Sequence, residues 1–146
     1  MKRFFLSALL VLGMGSLVVA QDIKVLTYNI YHGEFPTQAG KSTFQDLANL
    51  FVQIQPEVIA LQEVDSMTRR VTKIYGEPID MMKNFSRETG YKGYFGKAMD
   101  FDGGGYGEGI LSRLPLTSVK TIQLPAQASM GREPRAAIEC TVAPAG

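Results

Sequence analysis

The chain has no tryptophan, one histidine (His32) and one cysteine (Cys140) among its 146 residues. A lone cysteine excludes an intramolecular disulfide framework, and Cys140 reads as a small apolar residue on an inward strand face. Excess charge is also missing. Fifteen Lys and Arg face fourteen Asp and Glu, so there is no strong nucleic-acid signal, although a local basic patch is compatible with that balance. Long apolar runs are absent too: Phe4 to Ala20 spans seventeen residues and contains Gly13, Gly15 and Ser16, so no permanent membrane span is expected. There is no internal repeat, heptad pattern or low-complexity tract.

What the N-terminus does contain is a signal-peptide layout. Lys2 and Arg3 precede the apolar run Phe4 to Leu12, which closes in Val18-Val19-Ala20. Residues 1–20 are therefore expected to be a signal peptide cleaved before Gln21, sending the protein to a secreted or periplasmic location. No cysteine follows the break, which closes the lipoprotein route. Loss of those residues removes two positive charges and leaves 13 basic against 14 acidic residues in a domain spanning 21–146. That length suffices for one modest core.

Along this domain, Ile23 to Ile30 is rich in β-branched and aromatic residues and predicts a strand. His32 to Lys41 holds two glycines and a proline and predicts a loop. Ser42 and Gln45 form a capping-box pattern, and Phe44, Leu47, Ala48, Phe51 and Ile54 recur at helical spacing until Pro56. Val58-Ile59-Ala60-Leu61 predicts a strand buried on both faces. Residues 64–77 are polar without a clear period. A second helix is expected from Pro78 to Thr89, with Gly90 in the left-handed position after it. Four short strands follow, at 91–98, 108–112, 116–124 and 135–142, with Asp100 to Gly107 as a glycine-dense turn. This order predicts a mixed sheet with helices on one face.

The two early strands end in Asn29 and in Gln62-Glu63. Ligands of open α/β sheets bind beyond the carboxyl ends of the strands, and an oxygen-rich pair there suits a hard cation such as Mg²⁺. Two rival phosphate motifs fail. Ala39-Gly40-Lys41-Ser42-Thr43 would need glycine at position 35 to complete a P-loop, and Phe35 stands there. The cluster Gly103 to Gly109 has no register supplying the three dinucleotide-fingerprint glycines and no helix after it.

Val25-Leu26-Thr27-Tyr28-Asn29-Ile30, Pro56 to Val64, Gly105 to Leu116 and Arg135-Ala136-Ala137, taken in order, resemble motifs of the endonuclease/exonuclease/phosphatase superfamily, which includes DNase I-like nucleases. The resemblance implies an α/β (α+β) fold, one sheet-plus-helix half of a DNase I-like four-layer α/β sandwich. It also implies a site where Glu63 binds Mg²⁺ or Mn²⁺ and Asn29 helps place the phosphate or the nucleophile. Arg135 or Arg132 would meet a substrate phosphate through a fork of donors, and His32 or Glu34 would line the site. The family's Asp-x-Asn and closing Asp-His motifs do not occur in these residues. Glu108 stands where close relatives often show asparagine.

The expectation is a truncated, exported, metal-dependent phosphoesterase, weakly active or inactive as this chain, acting on a phosphoester of unspecified identity. The alternative is a non-catalytic binding or interaction module that self-associates through an exposed sheet face.

Overall fold

The computed structural model describes residues 22–125 and 133–143; the expected signal peptide and Arg132 lie outside them. In chain order, β1 (Val25–Asn29) leads through a 3-10 turn (Tyr31–Gly33) into the strands β2 (Glu34–Phe35) and β3 (Gln38–Ser42). Next come α1 (Phe44–Ile54), β4 (Val58–Ser66), α2 (Arg69–Tyr75) and α3 (Met81–Thr89). The strands β5 (Lys92–Phe101), β6 (Gly104–Ser112), β7 (Leu116–Gln123) and β8 (Ala136–Val142) complete the fold. The main sheet has the order β1-β4-β6-β5, parallel between β1 and β4 and antiparallel elsewhere. It is a mixed α/β fold, as expected.

The core forms where the helices meet one face of this sheet. Ile59, Leu61, Val64 and Leu111 from the strands pack with Leu47 and Phe51 of α1 and Met82 and Phe85 of α3. Phe44 stacks on Phe85 with ring centroids 4.4 Å apart. Each such side chain removed from water contributes roughly 1.5–3 kcal/mol, so the apolar periodicity of α1 and the run Val58 to Leu61 specify this layer. Gln55, left-handed at φ 52°, ends α1 immediately before Pro56.

Several local expectations are corrected. His32 to Lys41 is not a plain loop; it contains the 3-10 turn and the β2–β3 hairpin. The capping box does not form: Thr43 takes the N-cap without a side-chain bond. Ser42 Oγ accepts instead from Phe44 N (3.1 Å), and Gln45 Nε2 donates to Asn49 Oδ1 (3.1 Å). The second helix starts after Pro78, because Asp80 Oδ1 accepts from Lys83 N (3.1 Å) as its cap. Gly90 ends it at φ 75°, as expected. Within residues 64–77, α2 was not foreseen.

The glycine-dense stretch also differs, since Gly104 to Gly109 lies inside β6. A Cβ on Gly107 would overlap the Gly96 carbonyl of β5, so the absent side chain lets two backbones approach. Finally, β7 and β8 leave the main sheet and pair with each other. They pack against β5 and β6, with Ile138 seated where a Gly96 side chain would stand. The sheet face opposite the helices is therefore partly covered, not bare.

Candidate functional site

A regular strand alternates its side chains between faces. Leu61 and Val64, both essentially buried, are three residues apart, so one extra residue must intervene if both are to face the helices. The pairing shows it. Leu61 is opposite Gly109 and Val64 opposite Gly107, leaving Gln62 and Glu63 against Glu108 alone. This is a β-bulge, a device that re-aims a side chain. Glu63 adopts φ 59°, a left-handed conformation that costs a non-glycine residue about 1–2 kcal/mol.

The bulge lifts Glu63 away from the helix layer and to the end of β1. There Asn29 Nδ2 donates to Glu63 Oε1 (2.8 Å). Tyr31 N donates to Asn29 Oδ1 (2.9 Å). A backbone N–H can only donate, so the oxygen of the amide faces Tyr31 and its nitrogen faces Glu63. The structure thus brings Asn29 and Glu63 together, with Asn29 as a partner of the carboxylate whose own oxygen is already engaged.

His32 is buried, 4% exposed. Its Nε2 donates to Glu34 Oε2 (2.8 Å), and the other Glu34 oxygen accepts from Gly40 N. The Gly40 N–H, then the His32 hydrogen bond, hold the Glu34 carboxyl below the usual carboxylate range. His32 and Glu34 therefore face each other; the His32 ring is enclosed, while Glu34 also borders a cleft of about 150 Å³ with Asn29 and Tyr31. Arg135, whose side chain is 47% exposed, donates from Nη1 to the Tyr106 hydroxyl (3.2 Å), lies 5.8 Å from that ring's centroid and pairs with Glu133.

Sequence reasoning missed the network beside this site. Asp65 is fully buried and accepts a fork from Arg70, Nε to Oδ2 (2.9 Å) and Nη2 to Oδ1 (2.7 Å). Thr68 Oγ1 also donates to Oδ2 (2.7 Å) while accepting from Val71 N as the α2 cap (3.1 Å). The Arg70 guanidinium lies over Phe101 at 4.5 Å and Tyr106 at 5.5 Å. The one available signal was Thr68 and Gly76 bracketing a possible short helix. Glu108, across from the bulge, has a buried Oε2 with no partner among the described residues, and burial raises its carboxyl above the usual range, against the pull of Arg135. It borders a cleft of about 270 Å³ between β4, β6 and β8, with Gln62 and Ala137 on the other walls.

Among the described residues, no group of three or more His, Cys, Asp or Glu is placed to hold a metal ion together. Glu63 supplies one carboxylate. That donor set fits a hard cation of the Mg²⁺ type, which is commonly held by one or two carboxylates with water completing its shell.

Residues 26–143 match the Endonuclease/Exonuclease/phosphatase family, whose enzymes are generally divalent-metal dependent. No curated protein matches the chain. Among solved structures it is similar to the endonuclease/exonuclease/phosphatase from Beutenbergia cavernae DSM 12333, at 21% identity and a TM-score of 0.66, over 82% of this chain and 34% of that one. It is also similar to an endonuclease/exonuclease/phosphatase family protein from Leptotrichia buccalis C-1013-b, at 19% identity and a TM-score of 0.61, over 84% of this chain and 49% of that one. The chain thus spans about a third and about half the length of these two proteins. It belongs to the endonuclease/exonuclease/phosphatase family.

Proposed function

We propose that the chain carries the metal-binding part of an exported phosphoesterase, with Glu63 as the ligand to Mg²⁺ or Mn²⁺. The observation that carries this reading is the bulge: a strained residue in the middle of a core strand places one carboxylate beside Asn29 at the end of β1. Strain of this kind concentrates at functional sites. When bound, the cation would supply neutralisation of charge on the phosphoryl group. The chain's own residues do the rest. Asn29 orients the Glu63 carboxylate, and Arg135, anchored on Tyr106 with half its side chain exposed, offers donors to a phosphate oxygen. Arg70, stacked and held by Asp65, keeps positive charge beside the same ring.

Calorimetric titration of the chain with Mn²⁺ tests this reading. Binding is expected, and Glu63→Gln is expected to remove it; identical isotherms for both proteins would retire the proposal. Export is tested by N-terminal sequencing of protein recovered outside the cytoplasm, where the first residue should be Gln21.

A second reading, self-association through the sheet, is favoured by one observation. β1 is an edge strand of the main sheet, and its Val25 is 62% exposed.

A further inference from the structure

We infer that the part-buried His32–Glu34 pair is a positioning device that sets the direction of the Asn29 amide and, through it, the Glu63 carboxylate. The metal arm of this inference rests on the reading of Glu63 as a ligand; the amide arm does not.

An asparagine amide has two ends of similar shape and opposite hydrogen-bonding character. Asn29 must present nitrogen to Glu63, since oxygen there would set two acceptors against each other. The group that decides the matter is Tyr31 N, which occupies Asn29 Oδ1 at 2.9 Å. Tyr31 N belongs to the peptide that Ile30, at φ −95° and ψ −1°, turns back towards Asn29, and the sharp reversal that follows fixes where that peptide sits. Tyr31 and His32 both sit in the left-handed region, at φ 46° and φ 44°, and two successive side-chain-bearing residues do not hold that conformation unaided.

The Gly33 N–H closes the turn by donating to Ile30 O (2.9 Å), and His32 braces it. Its ring is buried, lies 4.3 Å from the Tyr31 ring centroid, and is tied by Nε2 to Glu34 (2.8 Å). Glu34 is in turn tied to the hairpin through Gly40 N. The next residue is braced from two sides: Gly33 O accepts from Thr43 N (2.8 Å) and from the Tyr75 hydroxyl (2.9 Å). A path of direct contacts therefore runs from the hairpin through Glu34, His32 and Tyr31 to Asn29 and Glu63. His32 and Glu34 act through Asn29, not on substrate.

The Asn29 side-chain amide reports on this path directly. The chain has three asparagines, Asn29, Asn49 and Asn84, so asparagine-labelled protein gives three side-chain NH₂ signals, and Asn29→Ser identifies the relevant one. In the wild-type chain the Asn29 signal is expected away from the free-amide position and slow to exchange. His32→Ala should move it to the free position and weaken Mn²⁺ binding about 10- to 100-fold, the usual effect of losing a group that orients a metal ligand. His32→Gln, whose Nε2 can still donate to Glu34, should restore most of both. Leu111→Ala, a core truncation in β6, should lower the melting temperature and leave the Asn29 signal in place.

Glu34→Ala cuts the same contact from the hairpin side and is read in the same way, so a poorly folding His32→Ala does not decide the outcome. An Asn29 signal unmoved by His32→Ala and Glu34→Ala, or moved equally by Leu111→Ala, overturns the inference. Absence of Glu63-dependent Mn²⁺ binding in the wild-type chain overturns the proposed function instead, and the amide signal still decides the positioning claim.

Discussion

Asp65 shows how much one side chain carries here. It is fully buried, accepts both donors of an Arg70 fork and a third from Thr68, and links the end of β4 to the start of α2. Removing one partner of a buried pair leaves the other uncompensated. Asp65→Ala is expected to lower stability by about 3 kcal/mol in urea unfolding, with α2 losing protection from hydrogen exchange first. Glu108 works in the opposite sense. Its carboxyl is raised by burial, so the folded state favours the protonated form; that contribution is present below the ordinary carboxylate range and lost as pH rises through the raised value. Glu108→Gln should therefore raise the melting temperature at pH 8 by more than at pH 4. An equal shift at both pH values would count against a strained carboxylate. Glu34 has the reverse sign: its lowered value gives stability above the ordinary range that disappears as pH falls, and Glu34→Gln should flatten the acid limb of a stability profile.

At the scale of elements, β5 and β6 are held together by close backbone approach. Gly107→Ala inserts a methyl group against the Gly96 carbonyl and should cost about 1–3 kcal/mol, measured by chemical denaturation. Strong periodicity made α1 readable from sequence, and the apolar run Val58 to Leu61 announced the start of β4. The continuation of β4 to Ser66 was hidden by the feature that matters most: Gln62-Glu63 interrupts the apolar pattern, and a bulge cannot be told from a strand end without its partner strand. The helix α2 has seven residues and buries only Val71, too little to create a period. Gly104 to Gly107 looked like a turn because strands rarely use so much glycine; packing between neighbouring backbones overrode that preference. Glu63 and Asn29 were found as strand-end polar residues. The Asp65–Arg70 pair was not, because nothing local distinguishes a buried ion pair from two solvated charges.

The described residues form one helical layer on a four-stranded sheet, with the two-stranded sheet β7–β8 against part of its other face and the β2–β3 hairpin beside it. The edges of the four-stranded sheet among the described residues are β1 and β5, and Val25 on β1 is 62% exposed. Exposed edge strands invite pairing with another chain. Under the self-association reading, Val25→Lys should shift sedimentation of concentrated protein towards monomer, and an unchanged distribution would argue against that edge. The bulge has one more consequence. Without Glu63, Leu61, Gln62 and Val64 would alternate regularly, with Leu61 and Val64 still opposite Gly109 and Gly107. The acidic residue is thus a surplus link in an otherwise continuous ladder. Its deletion is expected to leave the fold intact, and even to relieve the left-handed backbone. In this chain the candidate site is written as an insertion, which a shift of one residue erases without disturbing the scaffold that displays it.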